Sequence, residues 1–455
     1  MLSVSGYISD NNRDSDDTMT STSGNGSAGT AILGGGALGL TLAWRLAKAG
    51  ERVVVYEREP LAGGLAAGFR VGAGEGAPWL EKFYHHLFQS DRDAIALIGE
   101  LGLRDKLYWG HPNTSSLIDG RAWRLDGALP VLRFAPLPML DRLRLGAVAA
   151  AMKALPNANP LEGVTASAWL RRWLGPRGYA LAFEPLFRGK FGAYADEIAM
   201  PWFWARIHCR TAALGYLRGG FQQLYEALAA GIQAQGGEVR LGVTVDSARL
   251  DGSGGWRVTT AAGEERFARV VSTLPTRVTF RVVPDLPADF RARYDWGLAY
   301  GAHCLILGLD RQFMKDVYWL SIADKGYPFL AAVEHTNYIP ADEYGGRHLL
   351  YLGNYLPMDH PLLRATPQQA LEQFLPALQR LNPAFSRDWI TDMWGFAAPF
   401  AQPIVTRDYR AHIPPHETPL PGLYLANMFQ VYPQDRGQNY SIKLANELAK
   451  RLTAS

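Results

Sequence analysis

The stretch Thr30-Ala31-Ile32-Leu33-Gly34-Gly35-Gly36-Ala37-Leu38-Gly39 decides the fold of this chain. Its first four residues are typical of a short buried strand, and its glycines fit the pattern G-x-G-x-x-G through Gly34, Gly36 and Gly39. A helical pattern with leucines at positions 38, 42 and 46 follows, and Val53–Tyr56 predicts a second strand. Strand, glycine turn, helix and strand form a βαβ unit, which implies a parallel sheet covered by helices.

Each glycine of the pattern has a physical task. Gly34 permits the tight turn, Gly36 lets the backbone approach a pyrophosphate, and Gly39 lets helix and strand pack closely. The pyrophosphate would lie at the helix N-terminus, at Ala37 and Leu38, where free N–H groups and the helix dipole favour negative charge.

Glu57 ends the second predicted strand, at the distance expected of the acidic residue in this motif. A carboxylate there accepts hydrogen bonds from the adenosine ribose hydroxyls and repels a 2′-phosphate, which argues against NADP. The context therefore predicts a dinucleotide site rather than a glycine-rich turn without a ligand.

The segment after Glu57 distinguishes FAD from NAD. Arg58 follows, and then a stretch that contains the doublet Gly63-Gly64 and Leu65. This arrangement resembles the flavin-containing amine oxidoreductase superfamily, in which a Gly-Gly doublet lies under the flavin. The doublet has a physical reason, because the ring and ribityl chain must lie close to backbone that carries no side chain. The resemblance implies FAD, although many amine oxidases carry Arg at the position of Leu65.

Later segments resemble the same superfamily in the same order along nearly the whole chain. The segment Gly219–Leu224 resembles the glycine-doublet entry to a helix, and Ala268–Pro275 the segment that returns to the nucleotide domain. The segment Glu238–Val245 resembles the strand whose backbone contacts adenine. The resemblance places that contact at Val243 or Val245.

Two segments near the end of the chain resemble the final flavin motif of the superfamily. They are Gly422–Asn427 and Arg436-Gly437-Gln438-Asn439. The resemblance implies cofactor contacts from Asn427, Gly437 and Gln438, with Asn427 in the usual Gly position. The final helix N-terminus would stabilise negative charge on reduced flavin.

Within the superfamily, Phe183–Met200, preceded by Thr165–Gly175, is most similar to the protoporphyrinogen oxidase and phytoene desaturase branch. The flavin-linked cysteine of monoamine oxidases has no counterpart, so the resemblance implies non-covalent FAD. We therefore predict an α/β fold, a Rossmann-like FAD/NAD(P)-binding domain with an interleaved α+β substrate domain.

The predicted organisation interleaves three segments of the FAD-binding domain with two substrate regions. In chain order we expect a disordered tail (1–29), the first FAD-binding segment (30–78), a helical substrate or lid region (79–210), the second FAD-binding segment (211–280), a substrate domain with an antiparallel sheet (281–395) and the third FAD-binding segment (396–455).

Four groups of polar residues are weighed for roles beside the flavin, which itself carries the redox step. One is Asp435–Asn439 at the final helix start, which could bind the cofactor or simply cap the helix. His85 and His86 could exchange a proton near neutral pH, or be satisfied by backbone in a packed segment. Arg188 and Lys190 flank a glycine and could hold an anionic carboxylate or phosphate, or pair with nearby carboxylates. The segment Glu334–Asn337, with Asn354 and Tyr355 further on, could face the pocket or hydrogen-bond within loops.

Composition excludes several classes of function. The chain has 455 residues, a formal net charge of +3 and two cysteines, Cys209 and Cys304. These counts predict no nucleic-acid partner, no disulfide framework and no metal site. No run of 18 apolar residues is present, so we expect a cytoplasmic protein without a transmembrane helix.

The stretch Leu129–Leu155 bears on partners, because it is apolar with Arg133, Arg142, Arg144 and Lys153 interspersed. It could lie on an anionic membrane surface or roof a tunnel for a lipophilic substrate. An amphipathic helix packed on the core is the alternative.

Three functions remain open. The first is an FAD-dependent oxidoreductase that oxidises or desaturates a bulky, partly apolar substrate, by transfer of hydride or electrons to flavin N5. The second is a flavoenzyme similar to UDP-galactopyranose mutase, which acts on a nucleotide or lipid-linked sugar without net redox change. The third is an FAD-binding protein without catalysis.

Overall fold

The computed structural model describes residues 29–252 and 254–454. Apart from Gly29, the predicted tail at 1–29 lies outside the described residues. Gly29 itself extends the sheet, since its carbonyl accepts a hydrogen bond from the N–H of Ala268 at 3.0 Å.

Strands occur along the whole described chain. They are β1 (Thr30–Leu33), β2 (Val53–Glu57), β3 (Gly68–Arg70), β4 (Trp79–Glu81), β5 (Leu87–Phe88), β6 (Leu107–Gly110), β7 (Thr114–Ile118), β8 (Arg121–Arg124), β9 (Leu214–Leu217), β10 (Glu238–Leu241), β11 (Val245–Leu250), β12 (Trp256–Thr260), β13 (Gly263–Phe267), β14 (Arg269–Ser272), β15 (Ala299–Leu309), β16 (Trp319–Ile322), β17 (Ala331–Glu334), β18 (His348–Leu356), β19 (Ile390–Pro403) and β20 (Leu423–Leu425).

The α-helices cluster between these strands. They are α1 (Ala37–Lys48), α2 (Arg92–Glu100), α3 (Ala128–Leu132), α4 (Met139–Ala154), α5 (Ala166–Ala182), α6 (Glu184–Phe191), α7 (Met200–His208), α8 (Gln222–Ala234), α9 (Thr276–Val282), α10 (Ala288–Tyr294), α11 (Pro367–Leu381) and α12 (Gln438–Ala454).

A parallel sheet of five strands forms the nucleotide-binding core, in the order β10-β2-β1-β14-β20. Every residue of β1 and β2 is buried. Ile32, Val53 and Val55 pack toward α1, α8 and α12, whereas Leu33 and Val54 face the small sheet β11-β12-β13. Both faces are covered, which explains why these strands are continuously apolar. The predicted α/β fold with a Rossmann-like core is confirmed.

The second large sheet has the order β19-β15-β18-β17-β16-β7-β8. Its neighbouring strands are antiparallel except for β16 and β7, which are parallel, so the sheet is mixed rather than purely antiparallel. All of β15 is buried between the apolar clusters on the two faces. Strand β19 continues to Pro403, beyond the predicted limit at 395.

The prediction of a helical region over 79–210 needs a correction. Five short strands, β4 to β8, lie within residues 79–124, and β7 and β8 extend the second sheet. The turn between them is Asp119-Gly120, whose φ angles are +51° and +70°. An Asp-Gly pair with two positive φ values is the two-residue hairpin turn that matches strand twist, a signal that apolar periodicity does not contain. Helices α2 to α7 complete the region.

Candidate functional site

The glycine turn between β1 and α1 is built from close backbone contacts. Gly34 has a φ of +109°, and its N–H donates to the carbonyl of Tyr56 at 2.8 Å. A Cβ on Gly39 would lie 2.0 Å from the carbonyl oxygen of Gly34, so only glycine fits where the helix passes the turn. Ala37 and Leu38 begin α1 and are buried. The predicted motif residues therefore lie together at one helix N-terminus.

Glu57 is held against this turn. It is 8% exposed, and its carboxylate accepts hydrogen bonds from the N–H of Gly35 at 2.7 Å and of Glu59 at 2.9 Å. Arg58 points outward and pairs with Glu59 at 3.2 Å, with 65% of its side chain exposed. The structure places the Glu57 carboxylate at the turn and the Arg58 guanidinium on the surface.

The second glycine pair touches the first. The N–H of Gly63 donates to the carbonyl of Gly35 at 2.8 Å. A Cβ on Gly64, whose φ is +59°, would lie 3.2 Å from the Cα of Gly36. A Cβ on Gly36 would meet only the Cα of Gly64, at 3.9 Å. The two backbones thus form a cradle without side chains beside the N-terminus of α1, which suits phosphates and a ribityl chain.

The start of α12 completes this cleft. A Cβ on Gly437 would meet no atom within 4 Å. The Oε1 atom of Gln438 accepts a hydrogen bond from the hydroxyl of Tyr225 at 2.6 Å, and its Nε2 atom is buried without a partner among the residues that the structure describes. A buried N–H donor without an acceptor indicates a ligand that supplies one. The acceptor-rich edge of a flavin ring has this chemistry, so these residues fit FAD.

The side chain of Asn427 is hydrogen-bonded within the protein, and its predicted cofactor contact stays a prediction. Its side chain accepts a hydrogen bond from the N–H of Phe429 at 3.0 Å and donates to the carbonyl of Leu274 at 3.0 Å and the hydroxyl of Thr276 at 3.3 Å. The amide is therefore fully used inside the protein, where it caps the turn after β20 and fixes the path of the chain.

The predicted adenine contact lies beside Glu57. The N–H of Val243 donates to the carbonyl of Glu57 at 2.8 Å, which continues the pairing of β10 with β2. Val245 begins β11 two residues later. An adenine contact from Val245 stays a prediction.

A cavity of about 560 Å³ adjoins the cleft. Leu65 and residues 434–440 line it, together with aromatic and aliphatic side chains of α4, α6 and α7. The apolar lining residues include Phe183, Leu186, Phe187, Phe191 and Phe203. The cavity is therefore suited to a bulky apolar molecule in contact with the start of α12.

His85 and His86 both line the cavity. The Nδ1 atom of His85 lies 2.6 Å from the carbonyl of Phe83, while that of His86 is buried without a partner among the described residues. Burial lowers the pKa of His85 to about 4 and, with Arg210 nearby, that of His86 to about 3. Both rings are neutral at pH 7, so the expected proton exchange near neutral pH is not supported.

Arg188 and Lys190 lie on different faces of α6, the helix that carries both. Lys190 lines the cavity, but Arg188 bonds Asp196 at 2.6 Å and lies 3.5 Å from Glu184 on the outside. The chain between them is α6 and not the expected glycine turn, and helix positions two apart do not share a face. The prediction of a joint anion site is corrected accordingly, since Arg188 is engaged at the surface.

The polar residues around Lys190 come from distant positions, and sequence reasoning named Asp435 and Arg436 only at the start of the final helix and missed Arg206 and Trp202. Its Nζ atom lies 3.1 Å from the carboxylate of Asp435, which also accepts hydrogen bonds from Arg206 and, at 3.0 Å, from Trp202. The following residue, Arg436, bonds the hydroxyl of Tyr355. All of these residues line the cavity. No local pattern marks Arg206, because its role depends on contact with a loop 229 residues away.

The segment Glu334–Asn337 is structural. The carboxylate of Glu334 accepts a hydrogen bond from the N–H of Phe313 at 2.9 Å, and His335 Nε2 lies 2.7 Å from the hydroxyl of Tyr344. Asn354 and Tyr355, in contrast, line the cavity.

Two further properties of the described residues concern metals and membranes. No group of three or more His, Cys, Asp or Glu within 29–252 and 254–454 is arranged to hold a metal ion. No helix in these ranges is both long and apolar enough to cross a bilayer.

Comparison with known proteins places the chain in context. The sequence pattern of flavin-containing amine oxidoreductases matches residues 39–433. A 15-cis-phytoene desaturase from Synechococcus elongatus is 37% identical over 79 residues, which cover 17% of this chain and 16% of the desaturase. The match thus spans less than a fifth of that protein.

Solved structures of similar shape cover nearly the whole chain. A protein provisionally assigned as a protoporphyrinogen oxidase, from Exiguobacterium sp. 255-15, has a TM-score of 0.72 at 18% identity, over 95% of this chain and 100% of its own. Reduced UDP-galactopyranose mutase has a TM-score of 0.72 at 16% identity, over 94% and 96%. At these identities the likeness establishes the fold alone.

Proposed function

The chain belongs to the flavin-containing amine oxidoreductase family, and on that premise we propose that it uses non-covalently bound FAD to oxidise or desaturate a bulky, partly apolar substrate. The observation that carries the proposal is the apolar cavity of about 560 Å³ that adjoins the start of α12. Bound FAD supplies the acceptor for a hydride or an electron pair at N5. Residues 422–455 contain no cysteine, which supports non-covalent binding.

The side chains of the cavity have two tasks in this reaction. Phe183, Phe187 and Phe203 exclude water and bury the apolar part of the substrate against the cofactor cleft. His85 and His86 are neutral at pH 7 and offer ring nitrogens for hydrogen bonding. We assign them to substrate positioning rather than to proton transfer.

We also propose that the apolar substrate arrives from a membrane surface at α3 and α4. The exposed side chains Leu129, Met139, Leu140 and Leu143 of these helices, and Trp173 of α5, are between 53% and 60% exposed. We call this set the apolar face.

The same two helices line the cavity with their other sides. Val131 of α3 and Leu145 and Ala149 of α4 are cavity residues. One helix layer therefore separates the apolar face from the cavity, which supports an entry route for a lipophilic molecule.

Cations near the apolar face complement an anionic lipid surface. Arg133 and Arg144 are exposed there, and Arg144 also pairs with Asp141 at 3.3 Å. Arg142 and Lys153 instead donate to backbone carbonyls, those of Leu137 and His208 among them. The proposed peripheral contact thus combines insertion of the exposed leucines into the lipid with a small electrostatic attraction.

A second candidate is an isomerisation of a nucleotide or lipid-linked sugar, as in the mutase of similar fold. It is favoured by the cations Lys190, Arg206 and Arg436, which line the same cavity and could bind a diphosphate. In that case the reduced cofactor would be needed, with no net redox change.

One experiment separates the candidates. The purified protein is loaded with FAD, and its visible spectrum is followed anaerobically while compounds of different classes are added. Bleaching by an apolar compound, with return of colour in air, supports the oxidoreductase. Turnover of a nucleotide sugar only after dithionite reduction supports the mutase. A yellow protein that neither bleaches nor turns over would leave an FAD-binding protein without catalysis and refute both.

A further inference from the structure

Part of the cavity lining is charged where α6 and α7 meet the loop before α12. Lys190 and Arg206 both pair with Asp435, and the carboxylate of Asp435 also accepts hydrogen bonds from Trp202 at 3.0 Å and Gln402 at 3.3 Å. We call Lys190, Arg206, Asp435 and Arg436 the cationic wall.

Arg436 completes the wall from the loop. Its Nε atom donates to the Oε1 of Gln402 at 3.2 Å, and its guanidinium bonds the hydroxyl of Tyr355. Lys190 also lies 5.4 Å from the ring centre of Tyr355. Hydrogen bonds thus hold Arg436 in place, but none of these partners is a carboxylate.

The charges of the wall do not balance. It contains three cationic side chains, and within the described ranges the ion pairs of Lys190 and Arg206 are with Asp435 alone. Arg436 has no ion pair with a carboxylate in those ranges. Lys190 is largely buried, and a buried cation is costly without an anion, so the wall has an excess of positive charge on the side that faces the cavity.

The pKa shifts of Lys190 and Asp435 agree with an excess of positive charge in the cationic wall. Burial, and then the neighbouring Arg206, lower the pKa of Lys190 to about 7. Burial alone would raise the pKa of Asp435, but Lys190 and Arg206 hold it below its usual range. Asp435 therefore stays ionised, and Lys190 is the group that gives up its charge most easily.

We propose that the cationic wall binds one anionic group of the substrate, a phosphate, diphosphate or carboxylate, while the apolar part of the same molecule occupies the phenylalanine-lined cavity. This inference rests on the proposed function, because it assigns a substrate class to the same cavity. The substrate is then an amphiphile with an anionic end, held beside the start of α12. Arg206 is 41% exposed, toward the space that such a group would fill.

The test uses FAD-loaded protein, so that the phosphate site at the glycine turn is already occupied. Titration calorimetry compares octyl phosphate, octanoate and 1-octanol, which share one apolar chain, and inorganic pyrophosphate, which has none. We expect at least one anion of the octyl series to bind at least about tenfold more tightly than 1-octanol. Preference for octyl phosphate or for octanoate identifies the anion, whereas binding of pyrophosphate without binding of any octyl anion would contradict an amphiphilic substrate.

Variants locate the binding to the wall. Arg206→Gln is expected to reduce anion affinity by about 10- to 100-fold and leave 1-octanol binding unchanged. Arg206→Lys should restore most of the affinity. The matched control is Arg171→Gln, whose side chain is 43% exposed and pairs with Glu184 and Asp196 on the outside.

Proton uptake gives a second readout. An anion next to Lys190 raises the pKa of its ammonium group, so binding at pH 8 should take up about 0.5 to 1 proton. Calorimetry in buffers of different ionisation enthalpy measures this number, and Lys190→Met should abolish the uptake.

Equal affinity for all four probes, or equal loss in Arg206→Gln and Arg171→Gln, would overturn the proposal. Failure of the proposed function looks different, because anion binding would persist while no compound bleached the flavin.

Discussion

The carboxylate of Glu57 accepts a hydrogen bond from the backbone N–H of Gly35 at 2.7 Å. This bond connects the end of β2 to the glycine turn after β1, so the acidic residue and the turn hold each other in position. A second bond, from the N–H of Glu59 at 2.9 Å, fixes the other carboxylate oxygen. The carboxylate is thereby preorganised beside the predicted ribose site.

Replacing Glu57 should weaken FAD binding. In Glu57→Gln one acceptor oxygen becomes an NH₂ group that faces a backbone N–H, and the charge is lost. We expect the dissociation constant of FAD, measured by flavin fluorescence, to rise by about 10- to 100-fold. Glu59→Gln, at an exposed position next to it, is the control. Unchanged affinity in Glu57→Gln would show that the carboxylate does not contact the cofactor.

Two glycines should respond differently to alanine. In Gly39→Ala the new Cβ would lie 2.0 Å from the carbonyl oxygen of Gly34, so the turn must open and both stability and FAD binding should fall. In Gly437→Ala the Cβ meets no atom within 4 Å, so the melting temperature of the FAD-free protein should stay the same. FAD affinity should nevertheless fall, because the methyl group enters the cleft. Normal FAD binding in Gly437→Ala would refute that assignment.

The pH profile of substrate oxidation should report Lys190 and not the histidines. His85 and His86, with pKa values of about 4 and about 3, do not titrate between pH 6 and 8. Lys190, with a pKa of about 7, loses its charge in that range, so kcat/KM for an anionic substrate should decrease as the pH rises through 7. Lys190→Arg should move this decrease of kcat/KM out of the range from pH 6 to 8, whereas His85→Asn and His86→Asn should leave the midpoint of the decrease unchanged. A midpoint that moves with either histidine would contradict the assignment.

Stability should decrease as the pH rises, in part because of the buried carboxyl group of Glu81, with Glu334, whose pKa burial also raises to about 7, acting in the same direction. Glu81 accepts hydrogen bonds from the N–H of Phe221 at 2.7 Å and the hydroxyl of Tyr216 at 2.9 Å, and burial raises its pKa from 4.5 to about 7. Between these values the folded state binds more protons than the unfolded state. The stabilisation is therefore complete below pH 4.5 and is lost as the pH rises through 7, by roughly 3 kcal/mol.

Glu81→Gln, which imitates the protonated side chain, should lack the contribution of Glu81 to the pH dependence of the free energy of unfolding. Urea unfolding of both proteins between pH 4.5 and 8.5 measures the effect, and the variant should gain relative to the natural chain as the pH rises. Two parallel curves would mean that Glu81 keeps an ordinary pKa.

Membrane binding should depend on the apolar face. Leu140 and Leu143 are 60% and 54% exposed, so replacing both by Glu should leave the fold intact. Flotation with anionic vesicles should show at least about a tenfold loss of binding, since each buried leucine contributes roughly 1.5–3 kcal/mol. Leu241→Glu alters an exposed leucine on β10 and serves as the control. Equal binding by the double variant and the control would exclude this face.

Local patterns in the sequence predicted the nucleotide-binding half. The spacing of Gly34, Gly36 and Gly39 and the position of Glu57 act within one βαβ unit, where backbone geometry follows from short-range sterics. The hairpin turn at Asp119-Gly120 is also a local feature, which the Asp-Gly pair indicates and apolar periodicity does not. These features could be read because neighbouring residues alone produce them.

The sequence by itself determined the nucleotide-binding half of the fold, its family resemblance and the cleft for a dinucleotide. Only the tertiary structure decided which side chains face the cavity. It turned Arg188 outward and Lys190 inward on a single helix, and it brought Asp435, 245 residues from Lys190, into contact with it. The physical reason is that the direction of a side chain depends on how its helix packs against distant elements, and no local pattern records that packing.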